Sequence, residues 1–183
     1  MIELNTNLDK NNAPTIIFNS ELLFDTESYI INRLGEIDKK GLVKDIINQR
    51  TLINSKFPNM TKEMDISSDF FELKRLFEEL LDKGYNVVIL NIVPNHNNIA
   101  LGLTQRDDRL KYFLGKDLCK RCNVIALDHP QYATRYSNDT TFAITDGESD
   151  YCLSLDGKIV EFSWVSNLIP EINSFLERIQ SNG

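Results

Sequence analysis

Asn86-Val87-Val88-Ile89-Leu90-Asn91-Ile92-Val93 carries apolar side chains at odd and even positions alike. A strand with that pattern has to be covered on both faces, as strands in parallel sheets are. One cover stands immediately upstream. Ser68 is placed to cap a helix presenting Phe70, Phe71, Leu73, Leu76, Phe77, Leu80 and Leu81, and Gly84 is placed to end it. A helix leading directly into a doubly covered strand points to parallel α/β layering.

The same alternation extends outward. Thr15-Ile16-Ile17-Phe18 is a short β-branched and aromatic run that ends in Asn19-Ser20, a buried strand passing into a loop. Thr26 is placed to cap a helix with Tyr29, Ile30, Ile31 and Leu34, closed by Gly35. Leu42, Val43, Ile46, Ile47 and Leu52 form the stripe of a second helix before Phe57-Pro58-Asn59, and residues 60–68 show no period. Downstream, Thr104 and Asp107 resemble a capping box ahead of Leu110, Phe113, Leu114 and Leu118, and Asn123 to Leu127 is the next buried strand.

The last third changes pattern. After Thr141 to Ile144, the run Tyr151 to Leu155 is joined by Asp156-Gly157 to Lys158 through Trp164, which predicts an antiparallel hairpin. Val160, Phe162 and Trp164 would share one face of the return strand. Pro170 suits the first turn of a closing helix with Leu168, Ile169, Ile172, Phe175, Leu176 and Ile179 buried. The expected fold is α/β: a short, mainly parallel sheet covered by helices on both faces, with an antiparallel C-terminal hairpin and a closing helix. It forms a single domain over 15–183, after a loose Asn- and Asp-rich leader at 1–14.

Composition narrows the function classes. The chain has 27 acids against 20 bases, a net charge of -7, and no Lys or Arg cluster longer than two. That pattern disfavours nucleic-acid binding. The longest strongly apolar run, Val87 to Val93, is too short to span a bilayer, and Met1-Ile2-Glu3-Leu4-Asn5 lacks the core of a signal peptide. The expectation is a cytoplasmic protein with no membrane partner. Its 3 cysteines are expected as reduced thiols.

Open α/β sheets place ligands at the carboxyl ends of strands. The polar residues there are Asn19-Ser20-Glu21, Pro94-Asn95-His96 and Asp128-His129. Ser20 is a candidate nucleophile, with His129 or His96 as the base that takes its proton. The plainer alternative is that Asn19 and Ser20 close a turn and both histidines are solvated. Cys119-Lys120-Arg121-Cys122 has the spacing of a metal knuckle or redox pair, with Cys152 and His129 available to complete a zinc set, but a second such pair is missing and no metal or other cofactor is expected. Asp146, Glu148 and Asp150 could hold a cation or orient a histidine, or form a solvated turn around Gly147.

Three blocks resemble the GDSL or SGNH hydrolases: Ile16-Ile17-Phe18-Asn19-Ser20, Val87 to Pro94, and Cys152-Leu153-Ser154-Leu155-Asp156-Gly157. The resemblance implies an esterase acting on a small acyl ester. Ser20 would attack, His129 or His96 would act as base, Asp146 would complete the catalytic set, and Asn19, Asn91 and Asn95 would line the substrate site. Where that family carries its catalytic histidine and aspartate, this chain has Cys152 and Ser149, so the resemblance also admits a degenerate hydrolase. A second likeness points to a different class. Phe142 to Gly147, the Tyr151 to Trp164 hairpin and Asn173-Ser174-Phe175-Leu176 resemble the C-terminal part of SUKH-type immunity proteins. That likeness implies a non-catalytic acidic protein of immunity or antidefence type that binds a basic protein partner.

Overall fold

The computed structural model describes residues 14–92, 98–127, 130–137, 140–145 and 157–181. Among these residues five strands form one parallel sheet: β1 (Thr15–Asn19), β2 (Asn86–Ile92), β3 (Val124–Leu127), β4 (Thr141–Thr145) and β5 (Lys158–Glu161), in the order β3-β2-β1-β4-β5. The helices are α1 (Thr26–Ile37), α2 (Ile46–Lys56), α3 (Met60–Glu63), α4 (Phe70–Asp82), α5 (Ile99–Leu114), α6 (Lys116–Arg121) and α7 (Val165–Ser181).

The strand order explains how the core divides. The chain steps one way from β1 to β2 to β3, then crosses back over the sheet to β4 and steps the other way to β5. Right-handed crossovers therefore put the first two connections on one face and the β3–β4 step on the other. On the first face, Leu73, Leu76, Phe77 and Leu80 of α4, Leu110 and Leu114 of α5, and Leu168, Ile172 and Phe175 of α7 pack with Ile16, Phe18, Val87, Ile89, Phe142 and Ile144. On the second, Ile17, Val88, Leu90, Ile125, Leu127 and Ala143 form a smaller cluster. Its described cover is a 3-10 segment, Pro130–Tyr136, which supplies Ala133, Tyr132 and Tyr136. Among the described residues the helical cover is thus concentrated on the first face.

The α/β class and the parallel core are as expected, with local differences. β5 pairs in parallel with β4, Ile159 opposite Ala143, while the expected partner arm, Tyr151 to Leu155, lies outside the described residues. Val160 and Phe162 pack on the first-face core, as their spacing predicts, but Trp164 is exposed. α5 begins at Ile99, not Thr104, because Asn98 caps it by accepting the Leu101 N–H. α7 begins at Val165, which puts Pro170 inside the helix. α1 runs through Gly35 to Ile37.

Asp25 caps α1, its carboxylate accepting the Ser28 N–H at 3.1 Å. Replacing Asp25 by alanine is expected to lower stability by about 1 kcal/mol, seen as a lower urea midpoint at unchanged slope. No helix among the described residues is long and apolar enough to cross a membrane.

Candidate functional site

The order of the sheet reverses at β1, whose neighbours β2 and β4 are reached by connections running in opposite directions. The carboxyl end of β1 is therefore the place where open α/β sheets form a ligand crevice. The chain turns sharply there. Asn19 is 1% exposed, and its Oδ1 accepts the Glu21 N–H at 3.1 Å, capping the 3-10 turn Ser20–Leu23. Apolar Leu22, Leu23 and Phe24 then bury against the first-face core. The segment is fastened to residues 65–67 by hydrogen bonds from the Ser67 N–H to the Leu23 carbonyl, from the Ser67 hydroxyl to the Leu22 carbonyl, and from the Asp25 N–H to the Asp65 carbonyl.

This turn carries a buried ion pair. Arg106 of α5, 1% exposed, donates from a guanidinium nitrogen to Glu21 Oε1 at 2.5 Å. The same nitrogen lies 3.3 Å from Ser20 Oγ and 3.5 Å from the Ile92 carbonyl, and the guanidinium sits 5.1 Å from the centre of the Phe24 ring. Thr26 completes the carboxylate's shell by donating to Glu21 Oε2 at 2.8 Å. Burial pushes the Glu21 carboxyl up. The attraction of Arg106 and of Arg50 on α2, with the hydrogen bonds from Thr26 and Arg106, outweighs that and holds it below the ordinary range.

Ser20 is 0% exposed, and its hydroxyl accepts a hydrogen bond from the Arg106 guanidinium. A guanidinium has donors only, so it cannot take the serine's proton. Asn91 of β2, also fully buried, follows the residue paired with Asn19 and donates from Nδ2 to the Leu103 carbonyl at 3.1 Å. Asn19, Ser20 and Asn91 thus lie at adjoining strand ends, whereas His96, His129, Asp146 and Asn95 lie outside the described residues. Glu148, Ser149, Asp150 and Cys152 lie outside them too.

Cys119 and Cys122 are free and buried. Burial, with Asp107 nearby, pushes the Cys119 thiol up to about 11. Burial, with Cys119 beside it, pushes Cys122 up to about 12. Neither is a ready thiolate at neutral pH. Among the described residues no three His, Cys, Asp or Glu side chains gather as metal ligands would.

Sequence reasoning placed Glu21 at the strand end without giving it a role, and it missed Arg106 and Arg50. Arg106 had a readable signal: Gly102, Arg106, Leu110 and Leu114 form an i, i+4 row along α5, and all four are buried. A cation set in an otherwise apolar row requires an anion opposite it.

Scanned against models of known families, the chain matches none. Over 107 residues, 58% of its length, it is 30% identical to an uncharacterized protein of Acanthamoeba polyphaga mimivirus. The chain spans about a quarter of that relative, 26% of its length.

Proposed function

We propose that the protein acts by binding rather than by hydrolysis: its strand-end site is closed on itself by the Glu21–Arg106 pair, and its acidic surface receives a basic protein partner in the cytoplasm. The observation that carries this reading is the burial of Ser20 against Arg106, 3.3 Å away at 0% exposure. A nucleophilic hydroxyl needs an acyl carbon within about 3–3.5 Å and a neighbour able to accept its proton. The Ser20 hydroxyl is buried, and the side chain bonded to it is a guanidinium that can only donate.

Charge supports the choice of partner. Residues 26–63 hold 7 Lys and Arg against 5 acids, while the rest of the chain holds 13 against 22. The acidity is therefore concentrated outside α1–α3, where it can steer a basic partner over a distance that salt shortens.

One observation favours the second reading, an esterase with Ser20 as nucleophile: the serine follows the central strand at the point where the sheet order reverses. That reading requires Ser20 to be uncovered and an imidazole, from His129 or His96, to reach it. Short-chain p-nitrophenyl esters separate the two. The expected result is no turnover above the protein-free rate, unchanged in Ser20→Ala. Turnover abolished by Ser20→Ala overturns the binding proposal, while a salt-sensitive complex with a basic protein supports it.

A further inference from the structure

The loop that joins α1 to α2, Asp38-Lys39-Lys40-Gly41-Leu42-Val43-Lys44-Asp45, puts its acids and its bases to different uses. Asp38 anchors it. The Asp38 N–H closes α1 on the Leu34 carbonyl at 2.8 Å, its carbonyl accepts the Gly41 N–H at 2.9 Å, and its carboxylate accepts the N–H groups of Leu42 at 3.1 Å and Val43 at 2.8 Å. At the far end Asp45 caps α2 by accepting the Asn48 N–H at 2.9 Å, and Gln49 Nε2 donates to the Val43 carbonyl at 2.9 Å. Glu36, just before the loop, pairs with Arg33 at 3.0 Å. The carboxylates are thus spent on the loop's own backbone and on the helices beside it. Gly41, at φ +61, supplies the left-handed residue that the turn needs.

What the loop shows to solvent is basic and aliphatic. Lys39 and Lys40 occupy the corners of the Asp38–Gly41 turn, and both are exposed, as are Leu42 and Lys44. Leu42 is 75% exposed, the highest value for a large aliphatic side chain among the described residues. A single exposed leucine is ordinary. This one stands on a fastened turn with lysines before and after it, in a chain whose net charge is -7.

That combination selects the partner. Lysines on both sides require an anionic surface, and the leucine requires an apolar layer beneath the charges. A nucleic-acid backbone offers only the first, whereas a bilayer with acidic headgroups offers both. We propose that the α1–α2 loop docks on an anionic phospholipid surface, with Leu42 entering the boundary between headgroups and acyl chains and Lys39, Lys40 and Lys44 set against the phosphates. The lack of a run long enough to span a bilayer bears on crossing it, not on resting against it. Docked this way, the basic stretch faces the lipid and the acid-rich remainder of the chain is left for a basic partner. The surface does not depend on the Ser20 turn, so neither esterase turnover nor its absence bears on it.

Flotation of the full chain with vesicles in low-salt buffer provides the test. The protein is expected to float with equimolar phosphatidylserine and phosphatidylcholine and to stay behind with phosphatidylcholine alone. Replacing Lys39→Gln together with Lys40→Gln should lower the partition coefficient roughly 30-fold, about fivefold for each lysine. Leu42→Ser should lower it at least about tenfold, the effect of keeping an aliphatic side chain out of the acyl layer. All three positions are exposed, so both variants should retain the wild-type urea midpoint. A wild type that fails to float with the acidic vesicles overturns the proposal. So does flotation that Leu42→Ser leaves unchanged, because a site for RNA or for an acidic protein requires the lysines alone.

Discussion

Arg106→Ala is expected to destabilise the protein by about 3–5 kcal/mol at neutral pH, the range for breaking a buried ion pair from one side. In a chain of this length that corresponds to a fall in melting temperature of roughly 10 °C. The size follows from what remains. Glu21 is 7% exposed and would keep its Thr26 hydrogen bond and the attraction of Arg50, but lose its 2.5 Å partner. Burial, which already pushes its carboxyl up, would then dominate, and the group would shed its charge by taking up a proton. The penalty of Arg106→Ala should accordingly shrink as the pH is lowered.

Glu21→Gln behaves differently, since a guanidinium cannot lose its proton to escape the interior. Its penalty should stay full down to the ordinary carboxylate range and fade only below it, where the wild-type carboxyl is itself protonated. In the wild type the folded carboxyl lies below its unfolded value. Its contribution is therefore complete above the ordinary carboxylate range and disappears as the pH falls through the folded value. Denaturant melts of both variants between pH 3 and 7 check that the penalty of Arg106→Ala begins to shrink at a higher pH than that of Glu21→Gln. The double replacement Glu21→Leu with Arg106→Met tests the same idea from the other side, because exchanging a whole buried pair for apolar residues is often neutral or stabilising. A double variant as unstable as Arg106→Ala would show that the pair does more than compensate itself.

How far these features could be read from the sequence depends on the range of the interactions. The unbroken apolar run around Val88 and the Thr15-Ile16-Ile17-Phe18 run specify strands buried on both faces, and those strands lie side by side in register, Ile17 opposite Val88. Asn19 and Ser20 stand at the strand end as expected, because an Asn after a β-branched run is a local turn signal. The partner of β5 was not legible. Asp156-Gly157 announces a turn, and Gly157 has the positive φ of +92 that a turn residue needs, but a turn does not state which strand pairs with the one that follows. The Glu21–Arg106 pair spans 85 positions. It was hidden because starting α5 at Thr104 removes Gly102 from the buried row in which Arg106 stands out.

The ion pair sits on a platform that has its own test. Phe18, the residue before Asn19, is fully buried, and its ring meets that of Phe77 on α4 edge to face, with centroids 4.6 Å apart at 62°. Phe77 is likewise fully buried, so Phe77→Ala removes both the apolar contacts of a whole ring and the aromatic pair. The expected loss is about 3–5 kcal/mol for the emptied core site. Part of this, about 0.5–1.5 kcal/mol, belongs to the ring geometry itself. Phe71, six residues earlier on the same helix, is 65% exposed, and Phe71→Ala should change stability by no more than about 0.5 kcal/mol. Urea unfolding of the two alanine variants decides the matter: equal midpoints would mean that the first-face core does not depend on this contact. A large loss confined to Phe77→Ala would place the anchor of β1, and with it the turn that buries Ser20 and Glu21, in the packing of α4 against the sheet.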